Sequence, residues 1–250
     1  METSLDLLDL GLIDYEEALE VQLQTLEQVH ADQRPGTLIF CQHPEVVTLG
    51  RASTDSEIQG WKGKTIPVSR GGKATYHGPS QLIVYPIFNL NFQQGNYPKK
   101  DIHWYLRSLE AAVIATLKTY QISATTNAPH TGVWVNGKKI CSMGIAVKSW
   151  IAYHGLALNV WNDPNAFEGI APCGFSKSIM TNLEDELHKH KRETPLSTAI
   201  NKINLETLKS HLLKFLVRAL EKPLEKSSSN YLTNSADMMV ASPLTTTSPC

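Results

Sequence analysis

The chain has 250 residues, 42% of them hydrophobic and 19% charged, which describes a folded protein with a sizeable core. A formal net charge of −1 argues against a nucleic-acid binder that works through a whole-surface basic field. No apolar run is long enough to span a membrane, so a membrane protein is not expected.

Leu7 to Leu12 reads as a first strand. Asp14 followed by Glu17 has the form of a helix start, and Tyr15, Leu19, Leu23, Leu26 and Val29 then recur on one helical face. Pro35-Gly36 breaks the chain before a buried strand, Thr37 to Cys41, and a short strand from Val46 to Leu49 lies between His43-Pro44 and Gly50. His43 and Arg51, at the ends of that short strand, read singly as solvated turn residues. Residues 52–65 are polar and irregular. The apolar run Leu82 to Ile87 predicts a buried strand. Asp101 opens a second helix, with Ile102, Tyr105, Leu109, Val113, Leu117 and Tyr120 along one side. Asn136-Gly137, flanked by apolar residues, predicts a tight hairpin, and neighbouring strands follow at Lys139 to Val147 and Ile151 to Val160. Glu184 to Glu193 reads as a solvated charged face. Asn204 caps a last amphipathic helix carrying Leu205, Leu208, Leu212, Phe215 and Ala219, which Pro223 ends. The expectation is one domain over residues 1–225 and a disordered Ser/Thr-rich tail over 226–250.

The densest chemistry lies in Arg70-Gly-Gly-Lys-Ala-Thr-Tyr-His-Gly-Pro-Ser-Gln-Leu82. Gly71-Gly72 permits close approach of backbone to a ligand, and Gly78-Pro79 is turn chemistry. A polar, glycine-rich loop is therefore mounted on a buried strand, and Arg70, Thr75, Tyr76 and His77 crowded into it point to a site. Four cysteines stand scattered, with no Cys-x-x-Cys pair, which suits a reducing compartment and gives neither a disulfide framework nor a zinc knuckle. The acidic N-terminus lacks the build of a signal peptide, so a cytoplasmic location is expected. Cys41 and Cys141 lie in apolar strand runs and read as inert buried thiols. Cys173, framed as Ala171-Pro172-Cys173-Gly174, is unlike them. A reactive thiol needs a cation or base beside it, and Lys139, His77 and His154 are the candidates. From pattern alone, Lys138 and Lys139 read as two solvated turn lysines and His154 as a satisfied core histidine.

Five segments together resemble the lipoyl(octanoyl) transferases of lipoate biosynthesis. They are Gln42-His-Pro-Glu-Val-Val-Thr-Leu-Gly-Arg51, Arg70-Gly-Gly-x-x-Thr-Tyr-His-Gly-Pro79, Gly132-Val-x-Val-x-Gly-x-Lys-Ile140, His154-Gly-Leu-Ala-Leu-Asn159 and Pro172-Cys173-Gly174. They run in family order from about Leu10 to Leu183. One departure is Ser80, where the family usually has glycine; if that position requires φ > 0, serine costs stability and shifts the loop.

The resemblance implies an α/β (α+β) fold like the biotin and lipoate protein ligase catalytic domain, with mixed and antiparallel sheets flanked by helices. It implies transfer of an octanoyl group from octanoyl-acyl carrier protein to a lysine of lipoyl domains, those of the 2-oxoacid dehydrogenase complexes and the glycine cleavage H protein. Cys173 matches the acyl-accepting nucleophile and Lys139 its partner. Arg70, Gly71, Gly72, Lys73, Ala74, Thr75, Tyr76, His77, Ser142, Met143, Gly144, Gly155, Leu156 and Ala157 match the acyl-pocket segments. The expected protein is a monomer that uses no cofactor and no metal and binds neither nucleic acid nor membrane. Exchange of one thioester for another is nearly isoenergetic, so the acyl-enzyme needs no ATP. The rival readings are an ATP-dependent lipoate or biotin-type ligase, against which Cys173 speaks, and a non-catalytic acyl-binding module.

Overall fold

The computed structural model describes residues 5–92, 99–128, 130–171, 177–193 and 203–221. Its centre is strand β6, Gln81–Asn89, where every residue is buried. Leu82 and Val84 point to one face and Ile83, Tyr85 and Ile87 to the other, so a continuous apolar run is what a strand covered on both sides requires. Around it lie β1 (Leu5–Leu12), β2 (Gly36–Gln42), β7 (Thr125–Asn127), β8 (His130–Val135), β9 (Lys138–Lys148) and β10 (Ile151–Asn159). The seven-stranded sheet has the order β1-β2-β6-β10-β9-β8-β7, with β1 parallel to β2 and every other pair antiparallel. A smaller sheet, β4-β3-β5, joins β3 (Val46–Leu49) to β4 (Thr65–Pro67) and β5 (Thr75–His77).

Helices α2 (Ile102–Thr119) and α4 (Leu205–Glu221) cover one face, burying Leu109, Val113, Leu117, Leu208, Leu212 and Leu216 against Leu38, Phe40, Leu82 and Val84. Helix α1 (Tyr15–Ala31) covers the other, against Ile39, Ile83, Tyr85 and Ile87. Helix α3 is Leu183–Glu193. The Asp101 carboxylate accepts from Trp104 N at 2.8 Å and the Asn204 side chain from Thr207 N at 2.9 Å, so both expected caps form. Asn136 and Gly137 have φ of +49° and +77°, as the tight hairpin demanded.

Several details differ from the sequence reading. Asp14 stands at the N-cap of α1, but its side chain makes no capping bond. The buried face of α1 is Tyr15, Ala18, Gln22, Thr25, Leu26 and Val29, while Leu23 is 39% exposed. Leucine loses the inward position at 22 because the Gln22 amide oxygen accepts the backbone N–H of His154 at 2.9 Å. On α4, Leu216 rather than Phe215 is fully buried. On α3, Glu186 is buried and bonded to Thr181 and Lys189, so that face is not uniformly solvated. Ser80 is not in the left-handed region, so serine there carries no backbone strain; its hydroxyl lies 3.4 Å from an Asp163 oxygen. Pro223 and the tail to Cys250 lie outside the described residues.

Candidate active site

A pocket with about 340 Å3 of unfilled space, counted out to its open mouth, lies on the α1 side of the large sheet. Tyr15, Arg70, Thr75, His77, Tyr85, Ser142, Met143, Gly144, His154, Gly155, Leu156 and Ala157 line it. Two strands supply its floor. Gly155 pairs with Gly144, and Ala157 with Ser142, so small side chains face each other across β10 and β9. The two glycines let neighbouring backbone approach closely. A Cβ on Gly155 would meet Val84 O at 2.2 Å, and one on Gly144 would sit 3.0 Å from Gly71 O.

The wall of the pocket arises from a break in the central ladder. Ala152 pairs with Phe88 and Leu156 with Val84, which sets His154 opposite Pro86. Proline has no N–H to donate, and its carbonyl accepts the Tyr105 hydroxyl at 2.8 Å. The His154 N–H turns to Gln22 instead, and His154 takes φ of +58°. Its ring then stacks on that of its neighbour Tyr153, with centroids 4.7 Å apart, where ordinary alternation would send the two to opposite faces. His154 Nε2 lies 3.0 Å from the Ser69 hydroxyl and Nδ1 lies 3.4 Å from that of Tyr15. Burial, reinforced by the Arg70 and Arg51 charges, pulls its pKa down to about 3.

Two further histidines accompany it: His77 lines the pocket, and His43 stands behind it. His43 Nδ1 lies 2.7 Å from Ile13 O and must donate, so its Nε2 accepts the Tyr85 hydroxyl at 2.8 Å. His77 stacks on Tyr15 with centroids 5.6 Å apart, and its Nε2 lies 3.3 Å from Thr48 Oγ1. Burial holds both imidazoles below their ordinary pKa, His77 well below, with the nearby His43 and Arg70 charges adding to the effect there. Burial likewise raises the Tyr15 hydroxyl to about 12. His43 is fully buried, not the solvated turn residue that its neighbours in sequence suggested.

The glycine-rich loop is tied down by its own arginine. Arg70 Nη1 donates to Gly71 O and Lys73 O, and Nη2 donates to Thr48 O at 2.9 Å and Thr48 Oγ1 at 2.7 Å. Gly71 N donates to Ile145 O, and Gly72 O accepts from Ala52 N. Of the loop residues expected at the pocket, Arg70, Thr75 and His77 line it, whereas Gly71, Gly72, Lys73, Ala74 and Tyr76 brace it from behind. Tyr76 packs on Trp61 and Phe167, away from the cavity. All six expected positions from Ser142–Gly144 and Gly155–Ala157 line it. His154, Tyr15 and Tyr85 complete the lining; neither tyrosine belongs to a motif that marks it.

Lys139 is 3% exposed, while Lys138 is exposed, so the two are not a pair of solvated turn lysines. A β-bulge is the cause. Val133 pairs with Cys141 and Trp134 with Lys139, so β9 advances two residues while β8 advances one. Ile140 and Cys141 both enter the helix-side core. Lys139 is thereby re-aimed to the face that carries Ser142, whose partner is Gly132. Its ammonium lies 5.7 Å from the Trp134 ring centre. Gly132, with φ of +130°, leaves room for its stem: a Cβ there would come 2.7 Å from Lys139 Cε and 2.4 Å from Cys141 O. Glu110, 1% exposed, accepts the Gly132 N–H at 2.9 Å and pairs with Arg107. Burial raises its carboxyl pKa, against the opposing pull of Gly132 N–H, Arg107 and Lys139. Cys41 and Cys141 are buried and their thiols are pushed up by burial, as inert core cysteines should be. Cys173 lies outside the described residues. Among the described residues no group of three His, Cys, Asp or Glu is placed to hold a metal ion. None of their helices is long and apolar enough to cross a membrane.

The chain belongs to the family of the lipoyl protein ligase A/B catalytic domain, whose sequence profile matches residues 14–216. Its relatives are octanoyltransferases, and it is an acyltransferase of protein lipoylation. The octanoyltransferase of Bdellovibrio bacteriovorus is 45% identical over 188 residues, covering 70% of this chain and 86% of that one. That of Cytophaga hutchinsonii is 36% identical over 246 residues, covering 88% and 93%. Among solved structures, lipoate-protein ligase A bound with ATP superposes with a TM-score of 0.61 at 15% identity, over 91% of this chain and 89% of that one. A bi-partite lipoate protein ligase from Thermoplasma acidophilum gives 0.58 at 17% identity, over 88% and 84%. These likenesses establish the fold.

Proposed function

We propose that this acyltransferase moves an octanoyl group from acyl carrier protein to a lysine of a lipoyl domain, through a thioester on Cys173. The acceptors are the lipoyl domains of 2-oxoacid dehydrogenase complexes and the glycine cleavage H protein. The observation that carries the reading is the burial of Lys139 on the pocket's face of the sheet by a bulge that has no other evident use. The chain beyond Cys173 also returns to that lysine: Thr181 N donates to Lys139 O at 3.0 Å.

In the first half-reaction the Cys173 thiolate, stabilised by the Lys139 ammonium, attacks the carrier's thioester carbonyl. The tetrahedral intermediate collapses by breaking the bond to the carrier sulfur, which leaves as a thiol after taking a proton from Lys139. Cys173 is now octanoylated and Lys139 is a neutral amine. In the second, the amine form of the acceptor lysine attacks the Cys173 thioester and gives a proton to Lys139. The thiolate is expelled, an amide remains, and the starting charges are restored. No step consumes ATP. Initial rates with both substrates varied test the scheme: the expected result is a parallel, ping-pong pattern without ATP. Intersecting lines, or an absolute need for ATP and free octanoate, would overturn it.

A further inference from the structure

Strand β8 loses its regular register on both flanks around Gly132. Toward β7, Asn127 pairs with His130 and Thr125 with Trp134, so β8 advances four residues while β7 advances two. Toward β9, the bulge lies between Val133 and Trp134. A buried backbone N–H in so broken a ladder needs an acceptor from elsewhere. Helix α2 supplies it. Glu110, 1% exposed, reaches the strand, and its Oε1 accepts the Gly132 N–H at 2.9 Å. Its Oε2 pairs with the half-exposed Arg107 guanidinium. Each oxygen of the buried carboxylate therefore has a partner, as burial of a charge requires.

Gly132 is also the surface on which the Lys139 side chain lies. A Cβ there would come 2.7 Å from Lys139 Cε and 3.4 Å from its Nζ. With φ of +130°, Gly132 holds a conformation that a residue with a side chain rarely adopts. We infer that Glu110 is a positioning residue for the transfer reaction: its hydrogen bond fixes the Gly132 backbone, and that backbone seats the Lys139 side chain. The inference rests on the reading of Lys139 as the residue that moves the proton. Glu110 acts through its bond to Gly132 rather than through its charge, which Arg107 already meets. A purely structural Glu110 would cost stability when removed and leave Lys139 seated in every folded molecule. A positioning Glu110 displaces the ammonium in molecules that are still folded.

The test compares the full-length wild type with Glu110→Asp, Glu110→Gln and Lys139→Ala, at a temperature below every melt. Aspartate keeps the charge but is one methylene short of Gly132. Glutamine keeps the reach and an acceptor oxygen, and loses the charge. One readout is kcat and KM for octanoyl transfer from octanoyl-carrier protein to a lipoyl domain. The other is trace labelling of Lys139 by acetic anhydride, scored by mass against its exposed neighbour Lys138, which needs no substrate. In Glu110→Asp, kcat should fall about 100-fold, the scale of an ångström-sized misplacement, with KM for the carrier protein unchanged. Lys139 should there be labelled faster relative to Lys138. Glu110→Gln should stay within about fivefold of the wild-type kcat, the difference between a charged and a neutral acceptor, with wild-type labelling. A glutamine variant as slow as the aspartate one would overturn the inference, since charge rather than the bond would then matter. So would wild-type labelling or a wild-type kcat in Glu110→Asp. Lys139→Ala transferring at the wild-type rate would instead bring down the lysine's role, and the inference with it, even where labelling shows the side chain displaced.

Discussion

Acid should destabilise this protein through His154, and the effect can be isolated. The ring is 1% exposed, and burial with the Arg70 and Arg51 charges sets its folded pKa at about 3, against an ordinary 6.5. A histidine whose folded value is depressed is neutral in the folded chain while the unfolded chain binds a proton. Stability is therefore full above about pH 6.5 and is lost as the pH falls toward 3. Between pH 7 and pH 5 the loss from His154 alone is about 2 kcal/mol. His154→Asn removes the titration and keeps a residue that tolerates a positive φ. The variant will be less stable at pH 7, because contacts with Ser69 and Tyr15 go. Urea unfolding of both proteins at pH 7 and pH 5 gives a double difference in which His43 and His77 cancel. The expected result is a pH-induced loss smaller in the variant by about 2 kcal/mol. An equal loss in both would refute the assignment of a buried, neutral imidazole.

Two other substitutions probe the lysine and its setting. Lys139→Ala should slow acylation of Cys173 at neutral pH by about 10²–10⁴-fold, the usual range for losing a positioned proton donor, as measured by rapid-quench mass analysis. Acylation at the full wild-type rate would count against the pairing. Glu110→Ala leaves the buried Gly132 N–H without its acceptor and should cost about 1–3 kcal/mol. A thermal melt should fall by several degrees, and an unchanged midpoint would show that the carboxylate is not holding Gly132.

Much of the fold could be read from local chemistry. The Asn136-Gly137 hairpin, the Asp101 and Asn204 caps and the two-sided burial of Leu82 to Ile87 follow from rules that act within a few residues. The helix faces were harder. Tyr15-Leu19-Leu23 is a plausible apolar stripe, but the sheet needs a donor's partner at His154, and the polar Gln22 wins the inward position. The site divides in the same way. The Arg70 loop announces itself by its glycines and charges, yet residue identity does not reveal that Tyr76 turns into a separate small core while His77 turns to the pocket. Lys139 could not be separated from Lys138, because its burial depends on a bulge set by pairing with β8. The pocket wall had one visible signal, a proline inside a central-strand pattern. Pro86 forbids a ladder bond, and the positive φ of His154 lies directly across from it. Tyr15 and Tyr85 carry no such mark; only the packing of α1 on β6 and β10 brings them to the cavity.

The most direct test of the account is the intact mass of the protein after mixing with octanoyl-acyl carrier protein, without ATP, beside a Cys173→Ser control. A single octanoyl adduct on the wild type, absent from the control and removed by a lipoyl-domain acceptor, is the predicted result. No adduct, with the acceptor modified only when ATP and free octanoate are supplied, would contradict it.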